Sequence, residues 1–269
     1  MFKHIIFIIF LFVCPVCHSY ASMPANTKSG MTKIIADGLY KDGNYPLALT
    51  YYIKGMEIAE KEDDKRTYMA CIGNIANIYE AFGDYEANLF YLLKGYKMSK
   101  KLNDEELIGK YLTNIVPAYC HLGNIKKAKE YYDIAKKMQV SKNATQWEYF
   151  LIYNSARIKQ AERKYDEAVK DHLRAAAYAE KNELDDIFIL YQESEIGNIL
   201  VKKHDYGNAI KYGAKCRDMS VEMDNAEMEI NAYKILYEAY AGNGDSDSAR
   251  KYRVLYLETY DSVFSAKGM

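Results

Sequence analysis

The chain has 269 residues, 49% of them hydrophobic and 27% charged, and its 36 basic and 37 acidic side chains leave a formal net charge of −1. Near-neutrality with no long run of one sign excludes the electrostatic footprint of a nucleic-acid-binding surface. The basic pairs Lys100-Lys101, Lys126-Lys127 and Lys136-Lys137 alternate with acids and read as solvated helix faces.

Residues 1–21 differ in kind from the rest. Lys3 precedes an apolar run from Ile5 to Val13, and Ser19-Tyr20-Ala21 places small residues at the −3 and −1 sites of a secretory signal peptide. The run is shorter than the roughly 20 residues that span a bilayer. Cleavage is expected before Ser22, giving a periplasmic or extracellular protein without a transmembrane helix. Cys14 and Cys17 are each preceded by valine rather than a small residue, so lipoprotein anchoring is not expected. The remaining cysteines, Cys71, Cys120 and Cys216, are odd in number and make no disulfide framework. They read as small apolar filler.

After a short linker (22–28), one pattern repeats to residue 269. Its turns read Gly43-Asn44-Tyr45, Gly83-Asp84-Tyr85, Gly123-Asn124-Ile125, Arg163-Lys164-Tyr165, His204-Asp205-Tyr206 and Gly244-Asp245-Ser246, at offsets of 40, 40, 40, 41 and 40 residues. The repeats begin near residues 29, 69, 109, 149, 190 and 230. In the first, a helix through Lys33–Tyr40 stops at Gly43, and Asn44 caps a second that carries Pro46 in its first turn. In the second, Ile72, Ile75, Ala76 and Tyr79 fall on one helical face, Gly83 ends that helix and Asp84 starts the next. Gly55, Gly95, Ala135 and Ala175 keep the second helices small where neighbours approach. In the third, Pro117 deprives the carbonyl near Thr113 of its donor, which either faces a ligand or accompanies a tolerated kink. The fourth replaces the turn glycine with Arg163, places His172 on an apolar face as a hydrogen-bonded core residue, and is preceded by Trp147, expected to pack in the hinge. The sixth ends in Tyr252, Tyr256, Tyr260 and Phe264 at four-residue spacing, an apolar stripe expected to dock a partner or a second copy.

An aromatic before the turn, Gly-Asp/Asn-Tyr at it, and small residues after it resemble the tetratricopeptide repeat, a helix–turn–helix unit of about 34 residues. The resemblance spans Ser29 to Met269. It implies an all-α fold, a right-handed α-solenoid of six tetratricopeptide-like hairpins with about twelve antiparallel helices. Tyr79, Tyr119 and Tyr240 match the first-helix tyrosine of the motif, which Leu39, Lys159 and Leu200 replace elsewhere. The roughly six additional residues per repeat are assigned to polar hinges carrying Asp63, Asn103, Asn143, Asn182 and Asp224. The exit sequence Tyr260–Lys267 is also similar to that of exported repeat regions in bacterial membrane-anchored regulators, which implies a sensing role.

In this family the first helices line a concave groove for peptides or partner helices. The resemblance places Asn74, Asn77, Lys110, Asn114, Phe150, Tyr153, Asn154, Arg157 and Tyr191 on that face, with Lys33 and Asp37 at its start. Asn74, Asn114 and Asn154 occupy one position in three successive repeats. Such a column suits an extended peptide backbone, or else bonds neighbouring helices. Lys33, Asn74 and Lys110 match three of the five places of a carboxylate-gripping subtype, whereas Asp37 and Asn114 depart from it and Asp37 would repel a carboxylate. No phosphate loop, metal-ligand spacing or nucleophile motif is present. Cys120 and His121 are adjacent on a helix and point about 100° apart, so they do not form a catalytic pair. The expectation is a non-enzymatic scaffold without cofactor or metal that binds a protein or peptide. The alternative is an assembly subunit docking through its last helix.

Overall fold

The computed structural model describes residues 27–138 and 143–264. The expected signal peptide and most of the linker lie outside them. The described residues form twelve helices and no strand: α1 (Lys28–Lys41), α2 (Tyr45–Lys61), α3 (Lys65–Ala81), α4 (Tyr85–Leu102), α5 (Glu105–His121), α6 (Ile125–Lys137), α7 (Ala144–Ala161), α8 (Tyr165–Lys181), α9 (Asp186–Lys202), α10 (Tyr206–Glu222), α11 (Ala226–Gly242) and α12 (Ser246–Phe264). From α1 to α8, and again from α10 to α12, the helices pack chiefly on their neighbours in sequence, and α1 also meets α3, as α5 meets α7. This is an all-α helical-repeat solenoid. It comprises two compact units, residues 27–189 and 190–264, and the boundary falls within α9.

One turn chemistry makes nearly every connection. A residue in the left-handed region ends one helix, and an Asx side chain caps the next. Within hairpins that left-handed residue is Gly43, Gly83, Gly123 or Gly244, replaced by Arg163 (φ 62°) and His204 (φ 59°). Between hairpins it is Asp63, Asn103, Asn143, Glu183 or Asp224. The caps follow directly, as where the Ala87 N–H donates to Asp84 Oδ1 at 3.0 Å and the Thr67 N–H donates to Asp64 Oδ1 at 3.0 Å. Where this motif closes a hinge it leaves no room for additional residues, and among the described helices only the link from α6, ending at Lys137, to α7, starting at Ala144, is longer by more than one residue. The assignment of the long period to the hinges is therefore corrected: residues 62–64 between hairpins are as few as residues 82–84 within one, while α2, α3 and α5 each run 17 residues and α4 runs 18. The period is lengthened by helix.

Small residues set the close approaches. A Cβ on Gly95 would lie 2.1 Å from Tyr111 Cζ, and one on Gly55 would lie 3.3 Å from Cys71 Sγ. Trp147 sits within α7, not in a hinge, and its ring covers Gly109 of α5, where a Cβ would come within 2.9 Å. Tyrosines zip the two helices of a hairpin together: Tyr79 stacks on Tyr91 at 5.6 Å, Tyr119 on Tyr131 at 5.4 Å and Tyr240 on Tyr252 at 5.6 Å. At the same two positions of the fourth hairpin stand Lys159 and Asp171, paired at 2.7 Å.

Candidate ligand-binding face

In the unit built from residues 27–189, the candidate residues lie on α3, α5 and α7, the first helices of the second, third and fourth hairpins. Their burial separates them. Asn77, Lys110, Asn114 and Tyr153 are half-buried, whereas Asn74, Phe150, Asn154 and Arg157 are buried. The asparagine column is thus not a uniform row of surface amides.

Asn154 is 0% exposed, and its Nδ2 donates to the Thr113 carbonyl of α5 at 3.2 Å. That carbonyl lies four residues before Pro117, which has no N–H to offer it. The acceptor freed by proline is therefore taken by the next hairpin, and no ligand is needed to satisfy it. Asn154 Oδ1 stays buried without a hydrogen-bond partner. Asn74 Nδ2 reaches Asp37 Oδ1 at 3.5 Å, an oxygen that also accepts from the Tyr52 hydroxyl at 2.7 Å. Asn114 Nδ2 donates to the Lys110 carbonyl of its own helix at 2.8 Å. Further first-helix staples come from the Tyr111 hydroxyl, which donates to the Met69 carbonyl at 3.3 Å, and the Tyr149 hydroxyl, which donates to the Phe188 carbonyl at 2.9 Å.

The lysines of this face are paired with acids. Lys33 binds Asp37 at 2.7 Å, and Lys110 binds Glu106 at 2.6 Å. Two of the three matches to a carboxylate grip thus carry an acid of their own, and a ligand carboxylate would have to displace it. Beside them stands an aromatic cluster. Tyr153 lies parallel to Tyr149 at 6.5 Å and edge-on to His172 at 6.2 Å, and Phe150 packs edge-on to Phe188 at 5.9 Å. His172 is fully buried in this core.

Arg157 was singled out as a groove residue, and its guanidinium spans a seam that sequence reasoning missed. Its Nη2 donates to His121 Nε2 at 2.6 Å, and the imidazole of His121 stacks flat on Tyr85 at 4.0 Å with rings 4° apart. The column joins the second, third and fourth hairpins. The sequence signal was available, since the positions equivalent to His121 in neighbouring repeats carry the small residues Ala81 and Ala161.

The residues from 190 onward form the second unit. Tyr191 lies half-buried on α9. Nearby on the same unit, Asn231 of α11 bonds the Ser194 hydroxyl, and Asn198 Nδ2 reaches Asn231 Oδ1 at 3.5 Å. On α12, Tyr252 is buried by α11 and accepts from Arg217 Nη1 at 2.8 Å. Tyr256 is half-buried, Tyr260 is exposed, and Val254 and Leu257 are exposed beside them. The terminal stripe is therefore only partly open, and the Phe264 side chain lies outside the described residues. Burial pushes the thiols up, to about 12 for Cys71 and Cys216 and to about 11 for Cys120. All three are buried and free, as apolar filler would be. Among the described residues no group of three His, Cys, Asp or Glu side chains could hold a metal ion, and no helix is long and apolar enough to cross a membrane.

No family model matches the chain, and no curated protein matches it in sequence. Solved structures do match in shape. NprR in complex with its cognate peptide NprX is 14% identical with a TM-score of 0.68, over 95% of this chain and 76% of that one. A Rap protein complexed with competence and sporulation factor is 16% identical with a TM-score of 0.66, over 90% of this chain and 67% of that one. The apo form of RapI is 16% identical with a TM-score of 0.62, over 91% and 87% of the two chains. At such identities the likeness speaks for the fold: this chain has the fold of a tetratricopeptide-like helical-repeat protein.

Proposed function

We propose that the protein is an exported, non-enzymatic scaffold that binds a peptide or protein along the face of its first helices, as the sensing part of a signalling or regulatory system. One observation carries the reading: Asn77 of α3, Lys110 and Asn114 of α5 and Tyr153 of α7 are half-buried on first helices that Asn74, Asn154 and Tyr111 bond to one another. A fixed frame lowers the ordering cost of binding. Surface amides can satisfy both the N–H and the C=O of an extended peptide. Two solved structures of similar shape are complexes, NprR with its cognate peptide NprX and a Rap protein with competence and sporulation factor. Export rests on Lys3, the run Ile5 to Val13 and Ser19-Tyr20-Ala21.

The test is selection of peptides on the chain from residue 22 onward, using a random displayed library, followed by affinity and melting temperature on two variants. Asn114→Ala should weaken the selected peptide severalfold at nearly unchanged melting temperature. Asn154→Ala should lower the melting temperature and leave peptide affinity nearly unchanged. A peptide indifferent to Asn114, Lys110 and Tyr153 replacements contradicts the assignment. N-terminal sequencing of the protein from cells tests export, and an intact Met1 in a cytosolic fraction would overturn it.

A second reading is favoured by α12, where Val254 is 47%, Leu257 48% and Tyr260 42% exposed. It makes the protein an assembly subunit docking through that helix. Light scattering on Leu257→Glu, Tyr260→Glu distinguishes it: loss of an assembly supports docking, and a monomer unaffected by the change refutes self-association.

A further inference from the structure

We propose that His121 is a proton-operated latch on the seam between the third and fourth hairpins. The argument begins with what the seam is made of. At the first and second seams apolar approaches, Gly55 against Cys71 and Gly95 against Tyr111, stand beside polar links from Asn74 to Asp37 and from Tyr111 to the Met69 carbonyl, and none of these groups is an imidazole. At the third seam α6 is the shortest helix, 13 residues ending at Lys137. Polar links carry much of the contact: the Tyr132 hydroxyl donates to the Leu151 carbonyl at 3.2 Å, Asn154 donates to the Thr113 carbonyl, Lys129 pairs with Glu162, and Arg157 donates to His121.

Of these groups only the imidazole changes charge in the physiological range. A guanidinium has donors and no acceptor, so the contact at 2.6 Å requires His121 Nε2 to be unprotonated. A proton on that nitrogen removes the acceptor and sets two cations against each other. His121 is exposed, so the proton reaches it from solvent directly. Tyr85 of α4 covers the ring and Arg157 of α7 meets its edge; Arg157 also bonds Gln160, and Arg157 and Glu162 of the α7 end both act on Cys120, the residue before His121. Hydrogen bonds from Lys129 and Lys164 hold the Glu162 carboxyl below its usual range, so it stays ionised where imidazoles titrate. The equivalent position is small in three other repeats, Ala81, Ala161 and Gly242, and a lysine in two, Lys41 and Lys202. Against Gly242 the ring of Tyr206 lies so closely that a Cβ would come within 2.2 Å. Stacking of Tyr85 on an imidazole instead places at this seam a group that titrates near neutrality.

The sign follows. The closed seam holds the unprotonated ring, so its contribution is complete above the ordinary imidazole range and acid opens the seam below it. Hydrogen exchange read on α7 and the end of α5, corrected for intrinsic rate, tests this on the chain from residue 22 onward. The wild type should exchange severalfold faster at about pH 5 than at about pH 7.5. His121→Gln, which keeps an acceptor and cannot titrate, should remove that difference. His121→Lys, permanently charged, should exchange at the higher pH as the wild type does at the lower. An equal pH response in wild type and His121→Gln overturns the proposal, as does a His121→Lys seam that stays closed.

Discussion

Replacing Gly95 by alanine should destabilise the array, although alanine is the better helix former. The added methyl would stand 2.1 Å from Tyr111 Cζ and 2.5 Å from its hydroxyl oxygen. Tyr111 is fully buried and its hydroxyl donates to the Met69 carbonyl, so the ring cannot swing aside without breaking that bond. Overpacking of this kind costs about 1–3 kcal/mol, and the lost hydrogen bond about 1 kcal/mol more. The gain in helix propensity offsets about 1 kcal/mol. The net loss is about 2 kcal/mol. Gly38 of α1 supplies the control, because it is exposed and a Cβ there meets nothing within 4 Å. Gly38→Ala should therefore stabilise, by about 1 kcal/mol. Urea denaturation followed by circular dichroism reads both. If the two variants move in the same direction, the reasoning that Gly95 sets the approach of the second and third hairpins is refuted.

Other outcomes follow from the same geometry. Asn154→Ala should cost about 1–3 kcal/mol by orphaning the Thr113 carbonyl, and less in a Pro117→Ala background where a backbone N–H is restored; a double-mutant cycle with no coupling contradicts the link. Burial pushes the Asp171 carboxyl up, but hydrogen bonds from Lys159 and Ser155 and the nearby Arg174 outweigh it and hold the group below its usual range. A depressed carboxylate stabilises above its unfolded value and loses that contribution as pH falls, so stability should drop below about pH 4, and Asp171→Asn should flatten that drop in an acid titration. Arg163 at φ 62° sits where other hairpins use glycine, so Arg163→Gly should raise stability by up to about 1 kcal/mol; a lower melting temperature would count against strain at that turn. Cys71, Cys120 and Cys216 are buried, with thiols pushed up to about 11–12, and should react with a thiol reagent only on unfolding.

Much of the architecture was legible because repetition multiplies weak signals. One Gly-Asp-Tyr is ambiguous, but six turns in phase place every hairpin. Arg163 was readable as a turn residue only through that phase, since arginine has no propensity for the left-handed region, whereas His204 is of a type found there more often. The hinge was misjudged because Asp63 and Asn103 are polar in the way long loops are polar. Only their backbone geometry shows that one left-handed residue and one cap suffice. The candidate face was harder to read. Period locates Asn74, Asn114 and Asn154 at one position, yet it cannot say that Asn154 is drawn inward by a carbonyl that Pro117 frees on a different helix. Nor does it pair Arg157 with His121, residues 36 apart that meet only because successive hairpins stack.

The central claim is that the first helices carry the ligand. A photo-reactive amino acid placed at Asn114, and separately at Phe90, which is 62% exposed on the second helix α4, tests it most directly. The chain is irradiated with a peptide selected on the unmodified protein. Crosslinking from position 114 with none from position 90 is the predicted result. Crosslinking from position 90 alone would contradict it.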